Sequence, residues 1–362
     1  MSEPDRSTIE QAIAGYDGSD LDSDLVSAGC VEEIAIDGGR VSVSLRLGYP
    51  ADSVRARMSD ELRMAVEAVP GVESAQVRIE STIGVAKVQT DAQRLENIGN
   101  IIAVASAKGG VGKSTTAANL ALALRAEGAR VGMLDADIYG PSQPRMLGIE
   151  GKPDTVGDKY MKPKTGHGIA AMSIGFLVDP ESPMIWRGPM VTQALEQMLY
   201  QTQWPPLDYL IVDLPPGTGD IQLTLAQKVP LAGAIIVTTP QEIALLDARK
   251  GLKMFEKVSV PILGIVENMS LHVCSNCGHE EPIFGAGGGE RMAADYNVRL
   301  LGQLPLELAI RTQADSGEPT VVSDPDSPAA ERYRRIARRA AAGLSARSAL
   351  PQGFPSIRIV DD

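Results

Sequence analysis

The sequence predicts an α/β protein: a mainly parallel sheet covered by helices on both faces, with a smaller α/β domain ahead of it. Three observations carry this expectation. From residue 101 onward, short apolar segments with few polar interruptions alternate with longer amphipathic ones, the pattern of doubly buried strands and crossover helices. The apolar run at 101–105 breaks directly into a glycine-rich turn, Lys108-Gly109-Gly110-Val111-Gly112-Lys113-Ser114, as a strand does when it feeds a helix across a phosphate-binding loop. Residues 7–80 contain two alternating runs joined by the hairpin signal Asp37-Gly38-Gly39, and they read as a separate unit. At 362 residues, one large and one small domain is the natural division.

In the small domain, residues 1–88, a helix is expected near 7–14 and an acidic turn at 17–24. Strands follow at 31–36 and 41–47, then a helix over 53–69 that stops at Pro70-Gly71, then a strand at 72–79, with 83–88 open as its extension. The polar stretch 89–100 reads as a linker. The large domain, 101–345, has expected strands at 101–105, 131–135, 169–174, 208–213, 232–238, 261–267 and 299–303. Its helices fit at 113–127, 189–200, 220–228, 242–257, 287–296 and 328–342. Residues 346–362 read as a tail. In such a sheet, ligands belong at the carboxyl ends of the strands, where the phosphate loop lies.

Composition narrows the function classes. A net charge of −12 argues against nucleic-acid binding over a broad face. No apolar run approaches a membrane span, and the first residues are acidic rather than basic-then-apolar, so a cytoplasmic protein with no membrane partner is expected. The helix around 328–342 carries Arg332, Arg334, Arg335, Arg338 and Arg339 opposite a face made mostly of alanine, which offers too little area to bind a bilayer. Those arginines read as a solvated face. Three cysteines form no disulfide framework; two of them stand in a CxxC, which suits a reducing compartment and a metal or redox role. Cys30, at a strand start, reads as a small buried apolar residue.

The phosphate loop has a definite chemistry. Glycines let consecutive N–H groups turn toward a polyphosphate, and the following helix directs its positive end to the same place. Lys113 then reaches the β- and γ-phosphates of ATP, Ser114 ligates Mg²⁺, and Thr115 meets the α-phosphate. Asp135 and Asp137, at the end of the second strand, are placed to orient water or a metal-bound water. The apolar run Tyr209-Leu210-Ile211-Val212 ends in Asp213, the arrangement that holds Mg²⁺ through water. Beyond it, Leu214-Pro215-Pro216-Gly217-Thr218-Gly219-Asp220 combines a stiff exit with a mobile turn, as a γ-phosphate sensor needs.

Cys274 and Cys277 put two sulfurs on one side of a tight turn. Completing a zinc site with His272 and His279 requires wrapping one ion very tightly, since each histidine lies two residues from a cysteine. A thioredoxin-like pair is disfavoured because the motif does not open a helix. Two chains related by a dyad bring together four thiolates, the number a [4Fe–4S] cluster takes.

Two resemblances extend this reading. Lys108-Gly109-Gly110-Val111-Gly112-Lys113-Ser114 resembles the "deviant" loop of the MinD/ParA/nitrogenase-reductase ATPases. That resemblance implies that Lys108 crosses a dimer interface to the partner's nucleotide and that ATP closes a homodimer. It also implies water activation by Asp137, Mg²⁺ support by Asp135 and adenine reading by Asn268. Taken together, the loop, Asp135-Ala136-Asp137-Ile138-Tyr139-Gly140-Pro141-Ser142, Trp186-Arg187-Gly188-Pro189-Met190, Glu267-Asn268-Met269-Ser270 and the CxxC resemble the Mrp/ApbC branch. These are ATPases that carry iron–sulfur clusters. The resemblance spans 101–320 and implies a P-loop NTPase that hydrolyses ATP and hands a labile [4Fe–4S] cluster to apo iron–sulfur proteins. The first 80 residues resemble the MIP18-like (DUF59) domain, with Gly18-Ser19-Asp20-Leu21 where that family has Asp-Pro-Glu. A MinD/ParA-like positioning switch and a zinc-stabilised, ATP-gated dimer stay open as alternatives.

Overall fold

Alternation in the sequence becomes a buried face in the small domain. Residues Val41, Val43, Leu45 and Leu47 all point inward from one strand, and Met58, Leu62 and Val66 recur at helical spacing to cover them. The computed structural model describes residues 4–88, 92–157, 159–178, 188–274 and 276–349. The small domain comprises α1 (Arg6–Ala14), β1 (Val31–Asp37), β2 (Arg40–Leu47), α2 (Asp52–Glu67) and β3 (Ser74–Ser81). A hairpin pairs β1 with β2, and α2 crosses over to set β3 parallel to β2. The third strand ends at Ser81, so 83–88 does not extend it.

The large domain runs β4 (Ile98–Ala105), α3 (Lys113–Ala126), β5 (Val131–Asp135), α4 (Gln143–Met146), β6 (Thr155–Val156), β7 (Tyr160–Met161), β8 (Lys164–Gly166) and β9 (Ile169–Ser173). It continues α5 (Gly188–Tyr200), β10 (Leu207–Asp213), α6 (Asp220–Lys228), β11 (Gly233–Thr238), α7 (Glu242–Lys257) and β12 (Ile262–Glu267). Last come β13 (His272–Val273), β14 (Glu280–Glu281), α8 (Gly288–Asp295), β15 (Leu300–Gln303), α9 (Leu308–Asp315), α10 (Thr320–Ser323) and α11 (Pro328–Ala349). The main sheet has the order β15-β12-β11-β4-β10-β5-β9-β8, parallel throughout except that β8 pairs antiparallel with β9. The chain enters at the central β4 and winds both ways from it, so the loop after β4 lies at the switch point where such sheets bind ligands. Asp213 and Asp135 are paired across neighbouring strands, which brings both carboxylates to that same edge.

Several sequence expectations need correction. The first strand of the large domain starts at Ile98, inside the stretch read as linker, because Ile98 and Asn100 pair with Leu207 and Tyr209 across the sheet. The last helix continues to Ala349, beyond the expected start of the tail; residues 350–362 lie outside the described residues, as do 89–91 and Trp186 and Arg187. Short strands at β6, β7, β8, β13 and β14 were not expected, nor were α4, α9 and α10: two to eight residues carry too little periodicity to read.

The arginines of α11 are the larger correction. Its alanines 329, 330, 337, 340, 341 and 342 are buried, so they form core rather than a face toward a bilayer. Arg338 is itself buried and joins the domains: it donates to Asp20 of the small domain at 2.7 Å and to Glu127, after α3, at 2.8 Å. Ser53, at the start of α2, donates its N–H and hydroxyl to the same Glu127. Burial works against the Arg338 charge, yet Asp20 and Glu127 raise its pKa above the ordinary arginine value. Asp20, in the run Gly18-Ser19-Asp20-Leu21, here serves the domain contact. No helix is long and apolar enough to cross a membrane among the described residues.

Candidate nucleotide site and cysteine hairpin

The turn after β4 needs backbone that only glycine adopts easily. Gly110 and Gly112 both have φ of 83°, and Gly112 caps α3 from the left-handed region. Lys113 is buried at the helix start. Its Nζ pairs with Asp213, lies 3.7 Å from Asp137 and donates to the Ser114 hydroxyl at 3.1 Å. Ser114 and Thr115 are half-buried on the first turn, while Lys108 and the glycines at 109 and 110 are exposed. Among the described residues, Lys108 has no side-chain hydrogen bond or ion pair; its carbonyl accepts from the Ser106 hydroxyl. Gly217 of the expected sensor turn donates to the Ser106 carbonyl at 2.8 Å, which holds that turn against the loop.

Asp213 and Asp137 pair with Lys113, and Asp135 stands beside Asp213 on the neighbouring strand. Asp135 is fully buried and pushed up to about 7, by burial first and by Asp213 second. Burial also raises Asp137, opposed by Lys113 and reinforced by Asp213. The sequence reading missed what holds these groups. Gln143, the first residue of α4, donates its N–H to Asp135 at 3.1 Å and its amide to Asp213 at 2.9 Å and to the Ser114 carbonyl at 3.0 Å. Its Oε1 is buried with no hydrogen-bond partner among the described residues. The Ser173 hydroxyl at the end of β9 donates to Asp135 at 3.0 Å. Gln143 stands directly after the quoted Gly-Pro-Ser run, the one signal that pointed to it.

Asn268 leaves β12 into the same region. Its side-chain amide donates to the Val111 carbonyl of the loop at 2.9 Å, and it fills the space that a Cβ on Gly112 would need. Next comes the excursion with the CxxC. Residues 272–273 and 280–281 pair as a small antiparallel hairpin, with the Cys274 N–H donating to the His279 carbonyl at 2.9 Å. Cys274 is half-buried, Cys277 exposed, and both are free thiols; Cys30 is buried in the small domain. Backbone N–H groups of Asn276 and Cys277, with the Cys277 thiol, hold the Cys274 thiol below its ordinary pKa, whereas burial raises Cys30. Among the described residues, no group of three or more His, Cys, Asp or Glu side chains gathers closely enough to hold a metal ion. Among the described residues, one chain therefore presents two sulfurs and no third ligand grouped with them.

Comparison with known proteins identifies the family. Residues 97–341 match the family described as NUBPL iron-transfer P-loop NTPase. The chain belongs to that family. Residues 6–79 match a second family, described as iron–sulfur cluster assembly protein, so the small domain has its own relatives. The iron–sulfur cluster carrier protein of Escherichia coli K12 is 48% identical over 356 residues, covering 98% of this chain and 96% of that protein. The protein of the same name from Pseudomonas fragi is 59% identical over 285 residues, covering 78% of this chain and 99% of its own. Among solved structures, a nucleotide-binding protein in complex with ADP from Archaeoglobus fulgidus superposes with a TM-score of 0.58 at 38% identity, over 66% of this chain and 93% of that one. The NUBPL-type domain thus has a nucleotide-bound relative of the same fold.

Proposed function

We propose that the protein is a cytoplasmic, homodimeric ATPase that carries a [4Fe–4S] cluster as cargo between two chains and delivers it to apo iron–sulfur proteins. The observation that carries this reading is the hairpin: two free thiols, one with a lowered pKa, and no third ligand grouped with them among the described residues. A second copy supplies the missing pair. The carrier names of the E. coli and P. fragi relatives support the cargo, and free thiols suit a reducing compartment.

At the nucleotide site, Lys113 exchanges its carboxylate partners for the β- and γ-phosphates, with the N–H groups of residues 109–113 turned toward the same oxygens. The donor set fits Mg²⁺: a hydroxyl, two carboxylates and the unpartnered Gln143 Oε1 are all hard oxygens, and Mg²⁺ keeps several waters of its own. Ser114, Asp135 and Asp213 would hold the ion. Bound there, Mg²⁺ neutralises charge on the phosphate oxygens. Asp137 orients the attacking water and accepts its proton, Asn268 contacts the adenine, and Lys108 reaches the partner's nucleotide. Hydrolysis is coupled to cluster binding or transfer.

The test is anaerobic reconstitution with iron and sulfide, then iron, sulfide and zinc per chain. A bridging cluster gives about two irons per chain. Cys274→Ser and Cys277→Ser should each lose that iron while still binding ATP, and Cys30→Ser should keep it. One zinc per chain, or iron retained in the CxxC variants, would overturn the reading.

A further inference from the structure

Glu267 ends β12 and is fully buried, and among the described residues its side chain hydrogen-bonds to Ser270, Gly289 and Gln303 rather than to the phosphate loop. Burying a carboxylate is costly, so its bonds must be its purpose. The Oε1 atom accepts from the Gln303 amide at 2.9 Å and lies 2.9 Å from the Ser270 hydroxyl, whose single hydrogen it shares with the Glu267 carbonyl, also 2.9 Å away. The Oε2 atom accepts the N–H of Gly289 in the first turn of α8. Residues 270 and 289 are the two ends of the excursion that carries the cysteine hairpin, and this one side chain grips both. A Cβ on Gly289 would press on Glu267, so glycine is needed there for the grip. Donors reach both side-chain oxygens, the Gln303 amide at Oε1 and the Gly289 N–H at Oε2, and a glutamine amide nitrogen at either place could not accept them.

The next residues leave no slack. Asn268 is bonded to the Val111 carbonyl and to the Thr238 carbonyl; Ser270 N–H donates to Leu304; Leu271 accepts from Leu306; the His272 ring Nδ1 lies 3.1 Å from the Leu306 carbonyl. Met269 between them has φ of 57°, a left-handed conformation that a methionine adopts only under constraint. A shift of the phosphate loop that pulls on Asn268 therefore has to move the base of the hairpin, provided Glu267 holds that base together.

We infer that Glu267 is a positioning residue that couples the nucleotide loop to the cysteine hairpin, transmitting nucleotide binding to Cys274 and Cys277. The inference rests on the nucleotide reading of the site above, and concerns the thiols whatever they carry.

The test uses the full-length, cluster-free protein and measures alkylation rates of Cys274 and Cys277 by peptide mass spectrometry, with and without Mg²⁺ and a non-hydrolysable ATP analogue. In wild type, nucleotide should change the rate about fivefold or more. In Glu267→Ala that response should vanish, and in Glu267→Gln shrink, with analogue affinity close to wild type. A merely structural role would change melting or basal thiol reactivity and leave the nucleotide response intact. Should Glu267→Ala fail to fold, Ser270→Ala decides, since it removes one donor and keeps the carboxylate: a reduced response supports the coupling and an unchanged one overturns it. No nucleotide response in wild type that binds the analogue also overturns it. A Glu267-dependent response in protein that takes up no iron would instead sink the proposed cargo and leave the coupling standing.

Discussion

Lys113 and Asp137 lie side by side, yet they answer to different steps. Lys113 stands at the start of the helix that follows the glycine-rich loop, and two carboxylates, Asp213 and Asp137, compete for it. Lys113→Ala should abolish tight ATP binding. Asp137→Ala removes only water positioning, so affinity should persist while turnover falls by about 10²–10⁴-fold. Equilibrium binding and phosphate release, measured on both, check this; normal turnover in Asp137→Ala would remove it from the catalytic set. The cysteines make a pH prediction. A thiol reacts as thiolate, and the thiolate fraction grows as pH rises through the pKa. Because Cys274 lies below its ordinary value and Cys30 above, iodoacetamide should label Cys274 of the cluster-free protein first and Cys30 last. The Cys274 rate should reach half its plateau at a lower pH than an ordinary thiol does, in rate-against-pH curves resolved by peptide.

At the scale of elements, two helices meet the small domain through one buried cluster. Glu127 follows α3, the helix that begins at Lys113, and Arg338 lies in α11; both are almost wholly buried, with Ser53 of α2 and Asp20 closing the set. Such a cluster stabilises only when complete, since removing one partner strands a buried charge. Arg338→Met should therefore destabilise the protein by about 3–5 kcal/mol. Adding Glu127→Gln should recover part of that loss. Urea unfolding of the single and double variants measures both; an Arg338→Met protein as stable as wild type would show that the domains are held by apolar contact alone.

For the molecule as a whole, Lys108, exposed and without an ion pair among the described residues, is the residue whose proposed partner lies outside its own chain. In the proposed dimer, a site with intact Lys113 draws Lys108 from the other copy. Mixing Lys108→Ala chains with Lys113→Ala chains should regain turnover that neither has alone, because one site per mixed dimer is then complete. Heterodimers that form without such recovery would count against action across the interface.

What could be read from the sequence was local. The phosphate loop was legible because Gly110 and Gly112 must adopt positive φ, and the strands were legible because burial on both faces leaves apolar runs at 131–135 and 208–213. Ends of elements were less so: β4 gains Ile98 through Gly99 and Asn100 from pairing with β10, which no local pattern encodes. The sequence by itself determined the α/β class, the nucleotide loop and the presence of a thiol pair, because each rests on residues a few positions apart. Only the tertiary structure decided that Gln143 holds Asp213 from 70 residues away, that Arg338 is buried against Glu127 from 211 away, and that Glu267 reaches Gly289 across the cysteine excursion. Those contacts depend on which strand ends share an edge and which helices share a face. A periodicity shows that a face is buried, whereas the partner that buries it is set by the path of the whole chain.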